Sequence, residues 1–180
     1  KSTFLNIFKD LVVPDKINLT INNSHGEYSF AQIENSIMLV KNDTFKYFNE
    51  TIKEFIFEDY EKNYILLNFL IDITDMKEIC NSLDIKISSL TISSGETKRI
   101  VFIKSLYQFY MSNLSILLLD ELDNGIHQNL FTIMLEKIFS SDYYKDKLII
   151  SISHNKNLHQ NKKIFNKQIE IGNGIIKLHS

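Results

Sequence analysis

The chain has 180 residues, 44% of them apolar, and a formal net charge of -2, which suits one globular domain with room for a sizeable core. The near-balanced charge, without a block of like sign, gives no reason to expect nucleic-acid binding, and the single Cys80 excludes an internal disulfide framework and reads as a buried structural thiol. No apolar run approaches the roughly 20 residues needed to span a bilayer; the longest candidate, Tyr64 to Ile73, is interrupted by Asn68 and Asp72.

Lys1, Ser2 and Thr3 precede an apolar pattern, Phe4 to Phe8, that suits a helix. The polar, lysine-led start has none of the pattern of a secretory signal. After the Pro14-Asp15 breaker, the alternation over Ile17 to Asn22 predicts a half-buried strand, and Asn22 to Gly26 a turn. Ser29 to Glu34 reads as a short helix and Ser36 to Val40 as a buried strand, followed by the polar Lys41-Asn42-Asp43. Phe48 to Ile56 has helical spacing with Asn49 as candidate N-cap. Two further short helices are expected at Lys62 to Ile71 and Asp75 to Leu83. With no clear strands among them, these helices make a small helical subdomain over about 50–95.

Leu90 to Glu96 leads into a long amphipathic helix, Glu96 to Asn113. Small residues and a glycine before a helix leave its first backbone N–H groups open to an anion. Ile116 to Leu119 is apolar without alternation, the pattern of a strand buried on both faces of a parallel sheet, and it runs into Asp120 and Glu121. A carboxylate at the edge of a core must be solvated, paired or bound to a cation, and ligands bind at the carboxyl ends of strands in open α/β sheets. His127 to Ser140 is expected as a helix and Lys147 to Ser153 as another buried strand, ending at His154. Asn173-Gly174, between Lys167 to Gly172 and Ile175 to Leu178, is a strong hairpin signal.

In this order and spacing the pieces resemble the ABC-type ATPases, the nucleotide-binding domains of ATP-binding-cassette proteins, over essentially the whole chain. Lys1-Ser2-Thr3 looks like the end of a Walker A motif, so the glycine-rich loop and a first strand are expected upstream of Lys1. Ile92-Ser93-Ser94-Gly95-Glu96 looks like the family signature LSGGQ, and Arg99 sits where that helix usually carries arginine. Ile116 to Glu121 looks like Walker B with its following glutamate, and His154 like the switch histidine. The resemblance implies an α/β fold of the P-loop NTPase type, a mostly parallel sheet flanked by helices with a small helical subdomain, in one ATP-binding domain over 1–180.

It also implies roles. Hydrolysis of ATP needs the polyphosphate charge neutralised and a water held in line with the γ-phosphorus. Lys1, with Thr3 beside it, would contact the phosphates and Ser2 would ligate Mg²⁺. Asp120 would hold the metal, Glu121 would be the general base, and His154 would hold the γ-phosphate and the water. Ser93, Ser94, Gly95 and Glu96 would face ATP on a second protomer, which implies a head-to-tail dimer with two ATPs sandwiched between subunits. Departures accompany these matches. The Q-loop glutamine is absent, with Asn42 fitting best by position and Asp43 beside it; the signature ends in Glu96; and His127 fills the D-loop aspartate position.

Two readings of the resemblance follow. In the leading one the chain is the exporter-like ATPase domain of a membrane transporter, at the cytoplasmic face of the membrane, energising export of an unknown substrate. Its partner is a transmembrane domain fused upstream or carried on a separate subunit, and no nucleic acid is involved. The Pro14-Asp15 turn and the stretch Ser36 to Ile56 carry that reading. In the alternative, the DELDNGIH stretch over Asp120 to His127 resembles soluble ATPases of the RecF/OLD-like group used in DNA repair or phage defence.

Overall fold

The computed structural model describes residues 20–23, 26–29, 35–41, 49–153, 158, 161, 164, 168–172 and 175–179. Three parallel strands form the sheet that positions the site: β3 (Ile37–Lys41), β4 (Ile116–Asp120) and β5 (Leu148–Ile152), in the order β3-β4-β5. They are preceded by a hairpin of β1 (Thr20–Asn23) and β2 (Gly26–Ser29), and followed by one of β6 (Gln168–Gly172) and β7 (Ile175–His179), both antiparallel. The helices are α1 (Ile52–Phe57), α2 (Tyr64–Ile73), α3 (Ser94–Met111) and α4 (Gln128–Phe139). This is the α/β architecture expected from the sequence, a parallel sheet flanked by helices, consistent with a P-loop NTPase-like fold.

The central strand β4 explains its own composition. Leu117 and Leu119 are buried in the main core with α2, α3 and α4, while Leu118 points to the other face against Ile37 and the partly buried Leu39, Ile116, Ile150 and Ile152. Both faces are therefore apolar, as a strand lacking alternation requires. Its neighbour β5 differs from expectation: Ile149 is buried, but Leu148 is 53% exposed.

Helix α3 is the spine of the main core. Ile100, Val101, Phe102, Ile103, Leu106, Tyr107 and Phe109 are all buried along it. Tyr144 stacks on Phe109 and donates its hydroxyl to the Leu106 carbonyl at 3.1 Å. The Tyr107 hydroxyl accepts from the Asn63 N–H at 2.7 Å and donates to the Glu61 carbonyl, tying α3 to the start of α2.

Helix boundaries depart from the sequence reading in the region 48–83. The N-cap of α1 is Thr51 rather than Asn49: its hydroxyl accepts from the Glu54 N–H at 3.2 Å, and the Glu54 carboxylate accepts the Thr51 N–H at 2.8 Å. That reciprocal box satisfies donors a lone Asn could not. The N–H groups of Ile52 and Lys53 donate to the carbonyls of Ile85 and Leu83, so the chain there runs extended across the start of α1. The expected helix over Asp75 to Leu83 is reduced to a single 3-10 turn, Ile79–Asn81. Asp75 takes φ 55° after α2, with its N–H on Asp72 and that of the buried Met76 on Ile71, which ends the preceding helix in a Schellman motif. Ser29 belongs to β2 rather than to a helix, and the remainder of that expected helix, like the one at Phe4 to Phe8, lies outside the described residues.

Candidate functional site

The acids Asp120 and Glu121 stand at the carboxyl end of the central strand. Asp120 pairs in register with Lys41 at the end of β3 and with Ile152 at the end of β5. Glu121 carries the ladder one step further, its N–H donating to the Ile152 carbonyl at 3.0 Å, and then turns the chain out of the sheet at φ 53°. Among the described residues three other non-glycine residues have positive φ, namely Glu58, Asp75 and Asn113, and each follows the end of a helix. There the conformation serves to terminate the helix. Glu121 follows a strand instead. Left-handed backbone at a glutamate costs of order 1–3 kcal/mol, and such strain gathers at functional sites where the surroundings hold it in place.

The loop that follows is fastened from both sides. The Ser153 hydroxyl, just beyond β5 and buried, donates to the Asp123 carboxylate at 2.6 Å. Lys98 on α3 donates its ammonium to the Asn124 carbonyl. Inside the loop the Asn124 N–H reaches the Glu121 carbonyl and the Ile126 N–H the Asp123 carbonyl, each at 3.1 Å.

The stretch Ser93 to Glu96 forms the N-terminus of α3 and lies against this same loop. A side-chain carbon at Gly95 would stand 2.7 Å from the Gly125 carbonyl oxygen, so only glycine fits. Gly125 itself has φ +91° and lies close beside the Lys98 side chain. Ser93 is the N-cap: its hydroxyl accepts from the Glu96 N–H at 3.2 Å, and the Glu96 carboxylate takes the Ser93 N–H at 2.7 Å. Those bonds, with Arg99 nearby, hold the Glu96 carboxyl below its ordinary range. The capping box consumes two of the donors that the sequence reading leaves open to an anion, and it puts a carboxylate beside them. Ser94 and Gly95 begin the helix immediately after the cap.

Arg99 has a definite task. Its guanidinium donates to the carbonyls of Thr74 and Asp75, each at 2.9 Å, and so binds the end of α2 to the start of α3.

The structure thus brings together four of the sequence-derived elements: Asp120, Glu121, the Ser93 to Glu96 stretch and the end of β5. Lys1, Ser2, Thr3, Asn42, Asp43 and His154 lie outside the described residues. His127 caps α4 with its backbone carbonyl, bonded to the Phe131 N–H, and makes no side-chain cap. Sequence reasoning passed over Lys98, Asp123 and Ser153. Nothing in the sequence pattern shows which neighbours hold the loop.

The oxygen donor of Asp120 is of the kind Mg²⁺ takes, an ion commonly held by one or two carboxylates together with phosphate and water oxygens. Among the described residues, no group of three or more His, Cys, Asp or Glu side chains is gathered that could hold a metal. No helix among the described residues is long and apolar enough to cross a membrane.

No family model matches the chain, and no curated protein sequence matches it. Its fold is similar to solved structures, among them that of a bacterial Atm1-family ABC exporter with ATP bound, at a TM-score of 0.65 and 17% identity over 89% of this chain. The chain spans 28% of that exporter's length. A likeness at this identity is one of fold.

Proposed function

We propose that the chain is the ATP-binding and ATP-hydrolysing part of an ABC-type exporter. The observation that carries this reading is Glu121, strained at the end of the buried central strand beside Asp120, with the capped start of α3 packed on the loop that follows it. A strand-end acid pair can supply the metal ligand and the general base that ATP hydrolysis requires. The fold likeness to an exporter, whose own structure carries ATP, supports the same reading.

In this reading Asp120 and Ser2 hold Mg²⁺, which when bound neutralises charge on the phosphate oxygens. Lys1 and Thr3 contact the phosphates, and Asn42 stands near the metal in the Q-loop role. Glu121 accepts a proton from the attacking water. The left-handed turn at Glu121 takes the backbone off the line of the strand, and the bond from its N–H to the Ile152 carbonyl holds that backbone in place. His154, one residue beyond Ser153, holds the γ-phosphate. Ser93, Ser94 and Gly95 meet ATP on a second copy, and a transmembrane partner at the cytoplasmic face of the membrane receives the work.

Phosphate release by the full-length protein tests the assignment. Glu121→Gln keeps the shape of the side chain and one acceptor oxygen but removes the base, so turnover should fall about 100-fold or more, in the range general-base catalysis contributes. Turnover within twofold of the unaltered protein would remove Glu121 from that role.

A further inference from the structure

The loop 121–126 joins the two halves of the site, and its attachments divide between them. On one side, Asp123 is bonded to Ser153 at the end of β5. On the other, Asn124 is bonded to Lys98 on α3, and Gly125 is pressed against Gly95 at the start of that helix. The bonds within the loop, Asn124 to Glu121 and Ile126 to Asp123, leave it little freedom to move at one end without the other.

We propose that Lys98, with the Asp123–Ser153 bond, latches this loop so that the start of α3 and the Glu121 backbone move as one body, making Lys98 a positioning residue for Glu121. Lys98 has chemistry suited to this. Its ammonium is a strong donor directed at a backbone carbonyl, a contact that depends on no partner side chain. The close approach at Gly95 sets the distance: movement of the start of α3 toward the loop must push Gly125, and the Lys98 bond to Asn124 resists separation. A group arriving at Ser93 to Gly95 would therefore be felt at Glu121 through five residues of chain. No charge at Lys98 need reach the substrate, so Lys98 acts through the loop alone.

This inference rests on the hydrolytic reading for its consequence but not for the latch, and two measurements on the full-length protein separate them. Lys98→Met should lower kcat about 10-fold while leaving KM for ATP within about twofold, since misplacing a catalytic group by a fraction of an ångström has effects of that size. Lys98→Arg, which keeps a cationic donor, should recover most of the loss. The melting temperature should be unchanged, because Lys98 is not part of the core. Unchanged kcat, or a loss that Arg does not recover, would overturn the positioning role, as would a loss that follows a lowered melting temperature.

Amide hydrogen exchange reads the latch directly. In Lys98→Met and in Ser153→Ala the amides of Asn124 and Ile126 should exchange several-fold faster, with the interior of α3 unaffected. Unaltered exchange in both variants overturns the latch whether or not the protein hydrolyses ATP. Faster exchange in a protein that releases no phosphate would uphold the latch and sink the hydrolytic reading.

Discussion

Cys80 lies in the 3-10 turn Ile79–Asn81, 6% exposed, its N–H bonded to the Met76 carbonyl at 2.9 Å. Burial pushes the thiol from its ordinary 9.0 up to about 11. The folded state therefore favours the protonated form. The resulting stability is fully present below about pH 9 and is lost as pH rises through about 11. Because the thiolate is the reactive species, labelling of Cys80 at pH 8 should be slow in the native protein and fast in urea; equal rates would contradict the burial. Burial also pushes the Tyr144 hydroxyl up, so alkaline instability has more than one source, and the diagnostic quantity is the difference from Cys80→Ala. That variant should lose stability less steeply between pH 9 and 11. The buried thiol was legible because a lone cysteine has no disulfide partner in the chain, and free cysteines are among the most often buried residues. Glu96 was less so: its carboxylate reads as a minor change at the end of a signature, yet its bonds are those of a capping box with Ser93.

At the scale of elements, the start of α3 and the end of α2 are one unit joined by Arg99. Helix α2 ends at Ile73 with the fully buried Thr74 as cap, and the carbonyls of Thr74 and Asp75 both accept from the Arg99 guanidinium. Arg99→Met keeps much of the apolar stem but leaves those carbonyls without their charged donor. Charged hydrogen bonds contribute about 1.5–3 kcal/mol, so urea denaturation should show a loss of about that size, whereas Arg99→Lys should fall between. A loss below about 0.5 kcal/mol would show that water replaces the guanidinium freely. The strands and the long helix were legible, since apolar runs and 3.6-residue spacing leave little freedom, and β4 agreed residue for residue from Ile116 to Leu119. Of the short helices, Lys62 to Ile71 was legible, matching α2, but Asp75 to Leu83 was not. Thr51-x-x-Glu54 carried a capping signal as good as that at Asn49, but the bonds from the N–H groups of Ile52 and Lys53 to the distant carbonyls of Ile85 and Leu83 gave no sign in the sequence. Contacts between segments so far apart leave no periodicity to read.

For the whole molecule, the parallel sheet followed from buried strands alternating with helices, while the strand order β3-β4-β5 is seen only in the structure. The juxtaposition of Gly95 with Gly125 did not follow, because two glycines 30 residues apart announce nothing about each other. That juxtaposition bears on assembly. It fixes the start of α3 on the flank of the acidic loop of its own chain, with Ser93 and Ser94 at the tip of the helix. In the proposed head-to-tail dimer, each such tip covers nucleotide held at the partner's strand ends, and the two contacts are related by a twofold axis. The Glu96 carboxylate lies beside that tip and opposes an incoming phosphate, so association should be weak until metal and nucleotide are both present. With hydrolysis blocked by Glu121→Gln, ATP and Mg²⁺ should double the mass of the full-length protein in light scattering, and ADP should not. Adding Glu96→Gln removes the opposing charge while the amide oxygen can still take the Ser93 N–H. The doubled variant should then dimerise at a lower ATP concentration, by about 1.5- to 5-fold if the carboxylate's repulsion is of the order found for exposed charges. A single mass across all nucleotides would refute the sandwich. Dimerisation that Glu96→Gln weakens would place the carboxylate's capping bond above its charge.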